Sequence, residues 1–171
     1  MKSNQITINA LGIALYVVFS LFLPIRVLGN FFLCFGYIVM VVYPYVFGPL
    51  SGFLVGLLGT AIYCLIQGSY NGMIGWTIGN AFIGIFLGKF FPLSGKISSQ
   101  VVRRAVDIVL IVLSSAIAFL IIKPFLESVL FSVPLWERIL SNSKGFILDG
   151  LVMIAGYPLA IYFKKHIKRK A

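Results

Sequence analysis

The chain has 171 residues, of which 60% are hydrophobic and 11% charged, with a mean hydropathy of +1.05. That leaves too little polar surface to cover a soluble globule, so the composition excludes one and points to an integral membrane protein, read as a single membrane domain over residues 1–171. The net charge of +10 has its largest contributor in the terminal KKHIKRK, which fits an anchor on anionic lipid beside the bilayer and no nucleic-acid partner.

A helix needs roughly 20 apolar residues to span the hydrocarbon core. Six stretches approach that length: 6–23, 35–47, 50–66, 73–91, 105–122 and 145–163. The fold class expected is therefore all-α, a six-helix transmembrane bundle. The first stretch follows Lys2 but ends in Leu-Pro-Ile-Arg, not in a small-x-small cleavage site, so it is read as a retained helix. On it, Ala10 and Ala14 lie one turn apart on one face. Packing inside the bundle and docking on a partner both account for that bare face. The second stretch is short and runs into Gly-Pro, which allows a tilted or re-entrant segment.

Gly48, Gly52 and Gly56 recur every four residues, and Gly75 with Gly79 and Gly84 with Gly88 repeat that spacing. Such stripes let helix backbones approach closely in lipid, and packing within the protein is their expected use. Between the fifth and sixth spans, residues 129–140 are expected to form an interfacial helix with Trp136 at headgroup level.

Basic residues are enriched in cytoplasmic loops. With both termini inside, that side takes Lys2, Lys89, Lys96, Arg103, Arg104, Lys164, Lys165, Lys168, Arg169 and Lys170, ten of the fourteen. The outside takes Arg26, Lys123, Arg138 and Lys144, together with the acids Glu127 and Glu137. An N-in, C-in topology follows.

Little here serves catalysis. Cys34 and Cys64 have no CxxC spacing and no histidine beside them, since His166 sits in the basic tail; buried free thiols and no metal site are expected. No GxxxxGK[ST], HExxH or GxSxG occurs. Of the four acids, Asp107 falls near the inner end of the fifth span and Asp149 near the outer end of the sixth, nearly a bilayer apart, which excludes a dyad.

What remains is a polar and aromatic set at the outer ends of the spans. Arg26 and Asn30 lie in the first outer loop, Gln67, Tyr70 and Asn71 in the second, Trp76 and Asn80 just inside the fourth span, and Lys144 and Asp149 at the start of the sixth. Rings, amides and a few charges suit a small polar solute with a ring of its own. Interfacial anchoring explains Trp76 or Tyr70 taken singly, and Asp149 has Lys144 or Lys123 as candidate ion partners. Asn80 and Asp149 carry the functional reading, because polar groups at depth are costly.

Ala10-Leu-Gly-Ile-Ala14, Gly36-Tyr-Ile-Val39, Phe47-Gly-Pro-Leu-Ser-Gly-Phe-Leu-Val-Gly56 and Gly75-Trp-Thr-Ile-Gly-Asn-Ala-Phe-Ile-Gly84 together resemble the substrate-binding S components of energy-coupling factor (ECF) vitamin transporters. The likeness covers nearly the whole chain. It implies a subunit of a bacterial cell membrane that needs no cofactor, captures a small vitamin from outside, and delivers it through a membrane-embedded T component driven by two cytoplasmic ATPase subunits. Ala10 and Ala14 would be the face that docks on the T component, with Gly12 on the neighbouring surface, and residues 25–34 would be a lid. Within the family, the Gly-Tyr-Ile-Val and Gly-Trp-x-x-Gly-Asn segments look most like the subgroup for hydroxymethylpyrimidine, thiamine precursors or pyridoxine. A membrane scaffold that binds no small ligand, and an oligomeric channel lined by Asn80 and Asp149, are the competing readings.

Overall fold

The computed structural model describes residues 3–27 and 31–168. Six helical rods follow in chain order: α1 (Ser3–Phe22), α2 (Gly36–Phe47), α3 (Pro49–Gln67), α4 (Tyr70–Ser94), α5 (Gln100–Phe131) and α6 (Leu135–Lys168). Five of them are long and apolar enough to cross a membrane; α2, at 12 residues, is the shorter one. Together they make an all-helical multi-pass bundle.

The short α2 is the centre of the molecule. It rises about 18 Å at 1.5 Å per residue, short of a core about 30 Å thick. Yet nine of its residues, Gly36, Tyr37 and Val39 to Tyr45, are buried. A helix enclosed by its neighbours presents little surface to lipid, so it need not match the bilayer. It ends at Gly48, whose φ of 89° lies in the left-handed region where a Cβ is strained, and Pro49 then opens α3 at once.

The glycine stripes do what close packing demands. On α3 and α4, a Cβ at Gly52 would meet the Gly84 carbonyl and one at Gly56 the Asn80 carbonyl, while one at Gly88 would strike the Pro49 backbone. These two helices therefore touch backbone to backbone. Both α3 and α5 contain one π-helical stretch, Val55–Gly59 and Ile117–Ile122. Such turns rotate the following residues relative to a regular helix; here they precede Tyr63 and Lys123.

Five expectations change. The linker holds no separate interfacial helix over residues 129–140: α5 continues to Phe131 and α6 begins at Leu135, so the reversal takes only a tight turn with Ser132 at φ 53°. Both rods are far longer than residues 105–122 and 145–163; they run about 48 and 51 Å. The first outer loop contains a small antiparallel hairpin, β1 (Ile25–Val27) with β2 (Phe31–Leu33), pairing Arg26 with Phe32. Gly12 faces inward, where a Cβ would run into the Tyr43 ring, so it cannot share an outer surface with Ala10 and Ala14.

The two bundle aspartates lie closer than a bilayer apart. Asp107, fully buried, accepts hydrogen bonds from Ser94 and from the Tyr157 hydroxyl, and Tyr157 stands about 12 Å along α6 from Asp149. They still serve separate sites, since both Asp107 oxygens are taken by Ser94 and Tyr157 and Asp107 does not line the cavity that Asp149 lines. Arg103 donates to the Tyr45 hydroxyl at 3.2 Å beside it, which ties α2, α4, α5 and α6 together at that end.

Candidate functional site

At the opposite end, under the hairpin, lies a cavity of about 300 Å³ lined by residues of four elements. From α6 come Arg138, Ser141, Asn142, Gly145 and Asp149, whose spacing of three or four residues puts them on one helical face. From α5 come Phe119, Lys123 and Glu127, from α4 Trp76 and from α3 Tyr63; Cys34 closes the side beneath the hairpin.

Its electrostatics are balanced. Glu127, 5% exposed, faces the Lys123 ammonium and the Arg138 guanidinium at 3.9 Å each and accepts a hydrogen bond from the Asn142 amide at 3.1 Å. The Lys123 ammonium also sits 5.1 Å from the Trp76 ring centre and 5.8 Å from that of Phe119, where ring faces favour a cation. Asp149 accepts the backbone N–H of Cys34, and Lys123 supplies its counter-charge. Its Oδ1 has no hydrogen-bond partner, and neither has Arg138 Nε. Cys34, beside the hairpin, donates its thiol to Ser20 of α1 at 3.2 Å. Burial, with the Asp149 charge adding to it, pushes that thiol up to about 12.

Of the residues predicted for the site, Trp76 and Asp149 line the cavity. Asn80 does not. It is buried under the cavity, where its amide donates to the Thr60 and Tyr16 hydroxyls at 2.8 and 3.1 Å and its carbonyl accepts from Tyr37 at 3.1 Å. Tyr37 in turn accepts the Trp76 indole N–H at 2.6 Å. Asn80 therefore fixes Trp76 through Tyr37, at second hand. Gln67 is exposed and reaches the Tyr63 hydroxyl, so it flanks the cavity from outside. Tyr70 is 61% exposed, Lys144 is exposed on α6, and neither is among the lining residues. Asn30 lies outside the described residues, as do the side chains of Arg26 and Asn71.

Sequence reasoning named Lys123 only as an ion partner for Asp149 and left Glu127, Arg138 and Asn142 out of the site, because it assigned all four to an outer linker. The available signal was three charged residues and an amide close in sequence between two apolar rods: in a loop they are ordinary, but at helical spacing on α5 and α6 they converge.

Ala10 and Ala14 are both exposed on α1, the most peripheral of the long helices with 28% of its span buried. They do not pack within the described bundle.

Known proteins now bear on this geometry. A family model described as ECF-type riboflavin transporter, S component, matches residues 1–165. The chain belongs to that family. Its members are substrate-binding transporter subunits and not enzymes. Two proteins of Streptococcus thermophilus, from strains LMD-9 and CNRZ 1066, both carrying the name UPF0397 protein, are 35% identical over 107 residues, which is 57% of this chain and 58% of each relative. The match thus spans little more than half the length of these curated relatives. The S-component family is supported as expected, but the hydroxymethylpyrimidine or pyridoxine subgroup is not what the family's description names.

Proposed function

We propose that the chain is the substrate-binding subunit of an ATP-driven ECF importer in a bacterial cell membrane. It captures a heteroaromatic vitamin from outside and passes it on through a membrane-embedded T component and two cytoplasmic ATPases. The observation that carries this reading is the cavity of about 300 Å³ beneath the hairpin, a volume within the range of small-molecule sites. Its rings suit stacking on a flat ligand, and its paired charges suit a ligand of no net charge. The charge asymmetry of the chain supports the direction of uptake. The cavity end carries Lys123, Arg138 and Lys144, while Lys89, Lys96, Arg103, Lys164 and Lys165 lie toward the other, a distribution that supports termini inside and the cavity outside.

The family's description favours riboflavin as the ligand. Hydroxymethylpyrimidine and pyridoxine are the second ligand class, favoured by the amide and aromatic lining and by segments Gly36–Val39 and Gly75–Asn80 of the sequence.

The test is a thermal shift and tryptophan fluorescence titration of the purified protein with riboflavin, hydroxymethylpyrimidine, pyridoxine, thiamine, pantothenate, cobalamin and queuine. A ligand at a thousand times its Kd stabilises the folded state by about 4 kcal/mol. One such ligand supports the reading and names the substrate. Silence across the panel, from protein shown to be folded, overturns it in favour of a scaffold that binds no solute.

A further inference from the structure

Two residues that line the cavity, Arg138 and Asp149, each carry a buried polar atom without a partner. Glu127 already holds both neighbouring cations and the Asn142 amide. Asp149 is only 6% exposed, and its Oδ1 has no partner even though the Cys34 N–H orients the carboxylate. Arg138 likewise keeps its buried Nε without an acceptor. Buried polar atoms are normally satisfied, and two orphans of opposite kind bordering one cavity describe what a ligand must bring.

The positions that carry them are spread along one helix. Arg138 and Asp149 are eleven residues apart on α6, which is three turns on one face and about 16 Å along the axis. Between them Gly145 leaves the wall bare, with the Phe119 ring 3.9 Å from where its Cβ would stand. The cavity is thus a slot along α6 with an acceptor at the inner end and a donor at the outer end.

We propose that Asp149 is the specificity-determining residue of this slot: its Oδ1 accepts an N–H or O–H from the ring edge of the ligand, while Arg138 Nε donates to an oxygen on the ligand's outer tail. This rests on the transport reading above and narrows it to an uncharged, elongated heteroaromatic with a donor on its ring and oxygens on its tail. A ligand with a carboxylate or phosphate at its inner end is rejected, because it would face an unmatched carboxylate out of water.

Riboflavin and 3-methylriboflavin, which differ by one ring N–H replaced with N–CH3, test the inner end. Titrated against wild-type protein, riboflavin is expected to bind about tenfold to a hundredfold more tightly, the range for a hydrogen bond to a charged group. Equal affinities overturn the proposal while leaving the transport reading standing, and this arm needs no variant. In Asp149→Asn the side-chain carbonyl still takes the Cys34 N–H but presents an N–H donor to the slot, so the preference for riboflavin is expected to vanish; a preserved preference overturns the role given to Asp149. Arg138→Gln is expected to weaken riboflavin and to leave lumiflavin, which lacks the hydroxylated tail, unchanged; equal losses overturn the outer contact. A wild-type protein that binds neither flavin overturns this proposal together with the choice of riboflavin.

Discussion

At the scale of single residues, Asn80 shows how a buried polar group serves a site it does not touch. Its amide has the four hydrogen-bonding positions that Tyr16, Tyr37 and Thr60 converge on, and the Tyr37 hydroxyl hands the constraint on to Trp76. Asn80→Leu keeps a similar branched shape but takes one hydrogen bond from each of three hydroxyls, leaving only the Thr60–Tyr16 and Trp76–Tyr37 bonds. It should cost about 1–3 kcal/mol of stability, seen as a lower melting temperature, and broaden the tryptophan emission as Tyr37, the partner of Trp76, loses its own anchor. An unchanged emission would show that the indole is held by packing against Tyr63 alone, whose ring lies 5.6 Å away at 84°. Cys34 makes a second case. Its thiol, raised to about 12 by burial, is neutral at physiological pH, and the thiolate fraction at pH 8 is about one in ten thousand; since the thiolate is the nucleophile, alkylation must be slow. In a Cys64→Ser background, maleimide labelling of the folded protein is expected to be far slower than after denaturation and to rise with pH throughout pH 7–9. Rapid labelling at pH 7 contradicts the burial of this thiol against Ser20 and Asp149.

At the scale of elements, the contact of α3 with α4 is set by glycines and can be broken by one methyl group. Gly84 lies against the backbone of Gly52 and Phe53, so the Cβ of Gly84→Ala would have to displace main chain and not a pliant side chain. Overpacking of this kind costs about 1–3 kcal/mol, and the variant should melt earlier and lose ligand affinity, because α4 carries Trp76. Unaltered melting would mean that the two helices sit farther apart than the glycine contacts require. This packing was legible in the sequence, since repeats of four residues occupy one helical face whatever the helix packs against. The length of α6 was not. The polar residues from Glu137 to Lys144 lower the local hydropathy to that of a loop, and nothing in that pattern marks Arg138 and Asn142 as the two that turn toward Glu127. The cavity was half legible for the same reason: Trp76 and Asp149 stand inside apolar segments where a polar group is conspicuous, whereas Lys123, Glu127 and Arg138 look like ordinary interfacial charges until α5 and α6 bring them within 4 Å. The hairpin left no clear signal, because three-residue strands are too short for an alternating pattern.

At the scale of the whole molecule, the cavity and the exposed alanines occupy different surfaces of one bundle, and that separation allows the proposed capture and delivery to be tested apart. Ala10 and Ala14 face outward from α1, whereas Gly12, between them in sequence, faces the Tyr43 ring. Three small residues within five positions therefore carry two unlike constraints. Ala10→Leu with Ala14→Leu adds bulk only to the outside, so the folded state, its melting temperature and its vitamin affinity should stay near wild type. Uptake by cells, with the T component and ATPases present, should fall to background, because large side chains hold a partner helix out of close contact. Gly12→Leu should do the reverse: it drives a side chain into Tyr43 at the centre of the core, lowers stability by about 1–3 kcal/mol, and impairs binding and uptake together. The comparison decides between a face shaped for a partner and a face merely turned to lipid. If the alanine double variant imports as well as wild type, the bare surface of α1 has no partner and the docking assignment fails, while the site beneath the hairpin is untouched by that result.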